Sequence, residues 1–277
     1  MKHTNLGRAA SRLAILTLAG ALPFAAQAQA QSSSADWKFG AYVYGWFPAI
    51  GGTTSFPTTG SGPNIDVSSQ DVLDALKFAF MGSFEAKKGQ WGFWSDLVYA
   101  DLGGSKSGFR QFQSDRLPVP VDLSADLKLD IKAWLWTVAG SYNLVAKPDF
   151  NLDVVAGARL LDMTSKLDYA FSPSASGHPL GGRSGTAEVT KSNWDAIVGV
   201  KGRANFGEER KWFIPYYLDV GAGQSKLTWQ VNAGLGYQFD WGSVIASWRY
   251  TDYSFKSGSQ VESLNFNGPT IGVAFYW

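Results

Sequence analysis

The chain of 277 residues has no cysteine, two histidines and three methionines, and only 17% of its residues are charged. Without cysteine there are no disulfides, thiolate metal clusters or thiol nucleophiles. Two histidines, His3 and His178, fall short of a typical zinc site and leave little for general acid-base chemistry. The 24 Lys and Arg nearly cancel the 23 Asp and Glu, so no basic field exists to gather nucleic acid. After the first thirty residues no run of eighteen apolar residues occurs, which argues against a helical membrane span.

What the chain does have is apolar and aromatic: 45% hydrophobic, with 12 Trp, 11 Tyr, 18 Phe and 31 Gly. That is too hydrophobic for a disordered polymer. Residues 1–30 read as a signal peptide. Lys2, Arg8 and Arg12 form its positive start, Leu13 to Ala26 its apolar core, and Ala26-Gln27-Ala28 or Ala28-Gln29-Ala30 its cleavage site. The mature domain is then 31–277, exported, with 21 Lys and Arg against 23 Asp and Glu once those three bases are gone.

The mature chain alternates. Leu227, Trp229, Val231, Ala233, Leu235, Tyr237 and Phe239 point one way while Thr228, Gln230, Asn232, Gly234, Gly236 and Gln238 point the other. The same period of two runs through Leu152 to Leu160 and Trp194 to Phe206. We read strands near 37–48, 77–87, 90–102, 121–144, 150–171, 186–206, 211–223, 226–239, 241–256 and 261–277. Short links (87–90, 146–149, 207–210, Asp240) take turns with long Gly-, Ser-, Thr- and Pro-rich ones (49–76, 103–120, 172–185). The link 223–226 is short although it falls on the long side. Short turns at one end and long loops at the other are the plan of an antiparallel transmembrane β-barrel with both termini periplasmic. Trp212, Tyr216, Trp229, Tyr237, Trp241, Trp248, Tyr250 and Tyr253 lie toward segment ends, where a lipid-water boundary places such rings. The expected fold is therefore all-β, a barrel of about ten strands, with eight or twelve as alternatives, in the outer membrane as a monomer. A soluble β-sandwich is the competing reading. One helical phrase, Ser69 to Leu76, stands in the first long loop behind the cap Ser68, either as a plug or on the rim.

The last strand closes on Ile271, Val273, Phe275 and Trp277, alternate apolar residues ending in an aromatic. This resembles the signal read by the barrel assembly machinery of Gram-negative bacteria. The stretches WSDLVYADL, NLDVVAGARL, NWDAIVGVKGRANF, YYLDVGAGQSKLTWQVNAGLGYQF and WRYTDYSF resemble those of a family of Gram-negative outer-membrane β-barrel proteins. The resemblance covers nearly the whole mature chain. It implies location and architecture, and carries no activity, substrate, cofactor or catalytic residue.

If the apolar face meets lipid, Glu85, Asp96, Asp153, Asp195 and Asp219 point inward together with Arg159, Lys201, Arg203 and Arg249. These nine are the candidate functional residues. They form either a self-satisfied salt-bridge network or a charged eyelet that selects ions or small solutes. About ten strands is close to the size that side chains fill, which favours the network. No catalytic residue is expected, because His178 sits in a loop poorly suited to hold a base. No metal is expected either, since Asp66, Asp71 and Asp74 reach calcium only by wrapping a loop around it. The expectation is a non-enzymatic barrel with a structural or surface-interaction role. A narrow channel stands second and a lipid-modifying enzyme third, with outer-membrane lipid and the assembly machinery as partners.

Overall fold

Alternation this regular can satisfy its backbone only by pairing, and the chain pairs all the way round. A computed structural model describes residues 36–54, 64–112, 121–175, 178–179, 183–259 and 261–277. The proposed signal peptide lies outside them. The elements are β1 (Trp37–Trp46), β2 (Ala49–Thr54), β3 (Asn64–Val67), α1 (Ser69–Ala75), β4 (Leu76–Lys88), β5 (Trp91–Phe112), β6 (Val121–Ala146), β7 (Phe150–Ala175), β8 (His178–Pro179), β9 (Arg183–Phe206), β10 (Trp212–Gly223), β11 (Ser225–Gln238), β12 (Ser243–Phe255) and β13 (Val261–Tyr276). Around the wall they run β1, β4, β5, β6, β7, β9, β10, β11, β12, β13, and β13 pairs back onto β1. Every ladder is antiparallel, so the fold is a closed barrel of ten staves. Closure ends on the terminal residue: Phe39 N–H donates to the Trp277 carbonyl at 2.7 Å, and Trp277 N–H donates back at 3.1 Å.

Three boundaries differ from the sequence reading. The first stave is two strands, because Pro48 has no N–H to continue the ladder; β1 pairs with one half of β13 and β2 with the other. Gly268 sits at that break, where a Cβ would lie 2.2 Å from the Phe47 carbonyl oxygen. Second, β5 runs on to Phe112, through residues read as loop, since β6 supplies partners as far as Phe112↔Val121. Third, the first long link contains β2 and β3 as well as the helix. That helix has the expected cap: Ser68 Oγ accepts from Asp71 N–H, and an Asp71 carboxylate oxygen accepts from Ser68 N–H. None of its residues is buried, so it lies on the rim and does not plug the barrel.

The exterior carries two rows of rings. Trp91–Tyr142 and Trp212–Tyr237 stand at the short-turn end with centroids 4.9 and 4.8 Å apart; Tyr99–Trp134 and Trp229–Tyr250 stand at the other, at 4.3 and 4.8 Å. Between them Ile214, Leu218 and Leu235 are exposed. Eight residues separate Trp91 from Tyr99, about 20 Å of height for a strand tilted about 40°, close to an apolar band about 25 Å tall. No described helix is long and apolar enough to cross a membrane. A closed barrel with an apolar, ring-edged outer face is the other way for a chain to span one, and the single-chain antiparallel form is that of the Gram-negative outer membrane. Tyr253, expected among the boundary rings, is instead fully buried inside. Four neighbouring staves, β5, β6, β7 and β9, have 22 to 26 residues and stand well beyond the belt.

Candidate functional site

Period two puts every second residue of each stave into the lumen, and the nine charges expected there all arrive. They resolve into separate units rather than one ring. Nearest the short turns, Glu85 of β4 is ion-paired with Lys201 of β9 at 2.7 Å and with Lys87 at 3.1 Å. Lys87 also reaches Asp153 of β7 at 2.5 Å, and Asn143 donates to the other Asp153 oxygen at 2.6 Å. Lys201 also lies over the Trp94 ring at 5.2 Å.

Higher up, Arg159 of β7 reaches past β9 to Asp219 of β10, which also accepts from Tyr217 O–H; Arg159 Nε donates to Thr137 Oγ1 at 3.2 Å. Beside this unit, Arg249 of β12 pairs with Asp96 of β5 at 2.9 Å. Tyr44 O–H donates to Asp96 at 2.8 Å and accepts from Arg249 at 2.9 Å, while Gln230 accepts from both Arg249 and Thr251. Arg249 lies 4.6 Å above the Trp46 ring.

Two residues behave differently. Asp195 is held by amides: Ser225 N–H and Asn193 Nδ2 each donate to it at 2.7 Å. Arg203 stacks on Phe213 at 4.8 Å. The sequence reading missed Lys87, which it left at a strand end although it shares the parity of Glu85. To the four expected bases Lys87 adds a fifth, in the ion pairs of the lower lumen. Tyr44, Tyr217 and Gln230 were missed because neutral polar groups look alike on a strand until their partners across the lumen are known.

Apolar side chains flank this polar stretch at both ends, although Glu85 and Lys87 at its lower end stay about a quarter exposed. Toward the short turns Phe213 packs with Ile245 and Ala274, its ring lying on Gly236 where a Cβ would come within 2.3 Å. Toward the long loops Trp46, Met81, Val98, Leu135, Leu161, Tyr253, Phe255, Leu264 and Phe266 fill the bore. Arg159 and Asp153 are 0% exposed as a result, and Asp195, Asp219 and Arg249 at most 2%. Salt bridges so enclosed bind the staves to one another, and removing one partner strands a charge.

Outside the belt, the turn after β9 carries an exposed pair, Glu209 and Lys211 at 2.5 Å; their hydrogen bond lowers the Glu209 pKa and raises that of Lys211. Among described residues no three His, Cys, Asp or Glu gather as metal ligands. His178 pairs through its backbone with Ala175 of β7, and residues 176–177 and 180–182 of its loop lie outside the described ones.

No protein-family model matches the sequence, and no curated protein resembles it. Among solved structures it is similar to the outer-membrane protease OmpT of Escherichia coli, at 11% identity and TM-score 0.43, covering 90% of this chain and 98% of that one. It is similar to the translocator domain of the autotransporter NalP from Neisseria meningitidis at 14% identity and TM-score 0.36, covering 88% and 90%. For Ail, the attachment invasion locus protein of Yersinia pestis, the values are 8%, 0.33, and 88% and 99%. Scores below 0.5 carry no weight for function, which has to come from the chain's own geometry.

Proposed function

We propose that the chain is a non-conducting, non-enzymatic barrel of the outer membrane, a structural or surface-interaction protein whose inward charges are scaffold. The observation that carries this reading is the sealing of the Arg159–Asp219 pair, fully buried between an apolar stopper above and Phe213 below. A carboxylate locked onto a guanidinium and shut off from solvent is not available to a substrate. The long staves of β5, β6, β7 and β9 offer the surface that meets other molecules. Single-channel recording of the purified protein in planar bilayers tests it. No steady conductance is expected, from the parent chain or from Arg203→Ala. Steady current whose ion selectivity shifts in Arg159→Ala or Arg203→Ala would overturn it.

One observation favours the second reading, a narrow passage. Arg159 Nη1, Asp219 Oδ1, Arg249 Nε and Tyr253 O–H are buried without a hydrogen-bond partner in the protein, and each is a group that water satisfies. As partners we assign outer-membrane lipid to the apolar belt and the barrel assembly machinery to the last strand, with the protein acting as a monomer. Deleting Trp277 separates a sorting role from its structural one: assembly in cells should fall far more than refolding in detergent. Equal losses in both would reduce Trp277 to its two hydrogen bonds with Phe39.

A further inference from the structure

The wall has a seam. The β1–β4 ladder runs from Trp37↔Lys88 to Val43↔Gly82 and stops. Above that point Tyr44, Gly45 and Trp46 pair only with β13, and the Leu76 to Met81 part of β4 pairs only with β5. β3 pairs with β2 alone, and among the described residues no strand joins β3 or the end of β1 to upper β4. A backbone N–H left at the end of a ladder needs an acceptor; here Trp46 N–H donates to the Met81 thioether sulfur at 3.0 Å. Sulfur is a weak acceptor on a side chain with three rotatable bonds. What spans the gap is α1, one short rim helix packed between β2 and β5, without a buried residue.

The lower end of the seam, at Met81 and Phe80, is at the upper edge of the lipid belt. Phe80 is paired with Tyr99, a member of the upper ring row, and Phe78 packs on Tyr99 at 5.9 Å; Phe78 and Phe80 are more than half exposed. Behind Met81 the interior is apolar, with Trp46, Leu264 and Phe266 buried and Ile50, Ile65 and Ala79 packed against them. Among the described residues the Met81 side chain, and no ladder bond, links the end of β1 to upper β4 at this height.

We infer that this seam is a lateral binding site for one acyl chain of an outer-leaflet lipid, which enters beside Phe80, displaces the Met81 side chain and lies against Trp46 and Ile65 below α1. The occupant is a bilayer lipid rather than a free amphiphile because the apolar surface is continuous with the belt. The site is independent of whether the lumen conducts.

The test uses the whole protein in vesicles of phosphatidylcholine doped with a phospholipid carrying a diazirine on its acyl chain, with adducts mapped by mass spectrometry after irradiation. Adducts are expected on Trp46, Met81 and Ile65 as well as on Phe78 and Phe80. In Met81→Trp, which fills the seam, and in Met81→Ile, which stiffens it, adducts on Trp46 and Ile65 should be lost while those on Phe78 and Phe80 persist. Adducts confined to Phe78 and Phe80 in the parent protein would overturn the site, as would interior adducts indifferent to both substitutions. Interior labelling by a water-soluble short-chain diazirine but not by the phospholipid would put the way in at the mouth and overturn the lateral route.

Discussion

Below the upper row of rings the barrel keeps charge inside and hydrocarbon outside; above it the two faces exchange roles. On β6 the outward residues Trp134, Trp136 and Val138 are followed up the strand by Lys132 and Asp130, while the inward ones change from Ser141, Ala139 and Thr137 to Leu135, Ala133 and Ile131. On β13 Phe275, Val273 and Ile271 face out below and Asn267, Asn265 and Ser263 above, while inward Thr270 gives way to Phe266 and Leu264. Between Asp130 and Ser141 and between Ser263 and Phe275 the alternation holds, yet its sense inverts. The reason is the outer solvent. Where lipid surrounds the wall, apolar side chains gain nothing by turning inward, and polar groups must find partners in the lumen. Where water surrounds it, the hydrophobic effect drives the apolar face inward as in a soluble sheet. One barrel thus has two interiors, one held by ion pairs and one by packing.

The largest effect that would test this contrast is expected at Arg159. Arg159→Ala leaves Asp219 buried without its guanidinium and should cost about 3–5 kcal/mol, read as loss of heat-resistant gel mobility or a lower urea midpoint. The double variant Arg159→Met, Asp219→Leu should recover most of it. A double variant as unstable as the single one would mean that the charges serve something other than each other. Leu161, buried in the upper interior, is the counterpart. Leu161→Ala should cost about 2–5 kcal/mol, most of it from the cavity, measured by the same urea transition.

Outside, the inversion makes opposite forecasts for one substitution. Leu218→Arg places a charge in the belt and should cost about 2–4 kcal/mol. Thr190→Arg, on the exposed outer face of upper β9, should stay within about 0.5 kcal/mol. Equal penalties at the two sites would remove the boundary drawn between them. The last check changes no stability. The chain lacks cysteine, so Lys132→Cys introduces a single thiol. An impermeant maleimide should label it on intact cells without surface polysaccharide, and full protection would place that height of β6 in the membrane.

Much of this was legible in the residues. Alternation gave the strands, and the order of short and long links gave an antiparallel barrel of about ten. Parity placed Glu85, Asp96, Asp153, Arg159, Asp195, Lys201, Arg203, Asp219 and Arg249 in the lumen, because a strand has only two faces and the charges shared one. Position near a strand end misled at Tyr253, suggesting the boundary, whereas its parity with Thr251 and Arg249 carries it inside. It also left Lys87 out, although parity alone would have included it.

Pairing across the bore was beyond the sequence. Arg249 meets Asp96 across the bore, and Arg159 meets Asp219, 60 positions away, past the intervening β9, because closure and stagger set which side chains approach each other, and a period of two carries no information about that. The same holds for the seam. Nothing in the residues around Met81 distinguishes upper β4 from a fully paired strand; β2, β3 and α1, folding between β1 and β4, take the place that the ladder would have filled. The sequence by itself determined which face of each strand is oily. Tertiary structure decided which solvent that face meets and which partner each buried charge finds, because both depend on how far the wall rises past the lipid and how it closes.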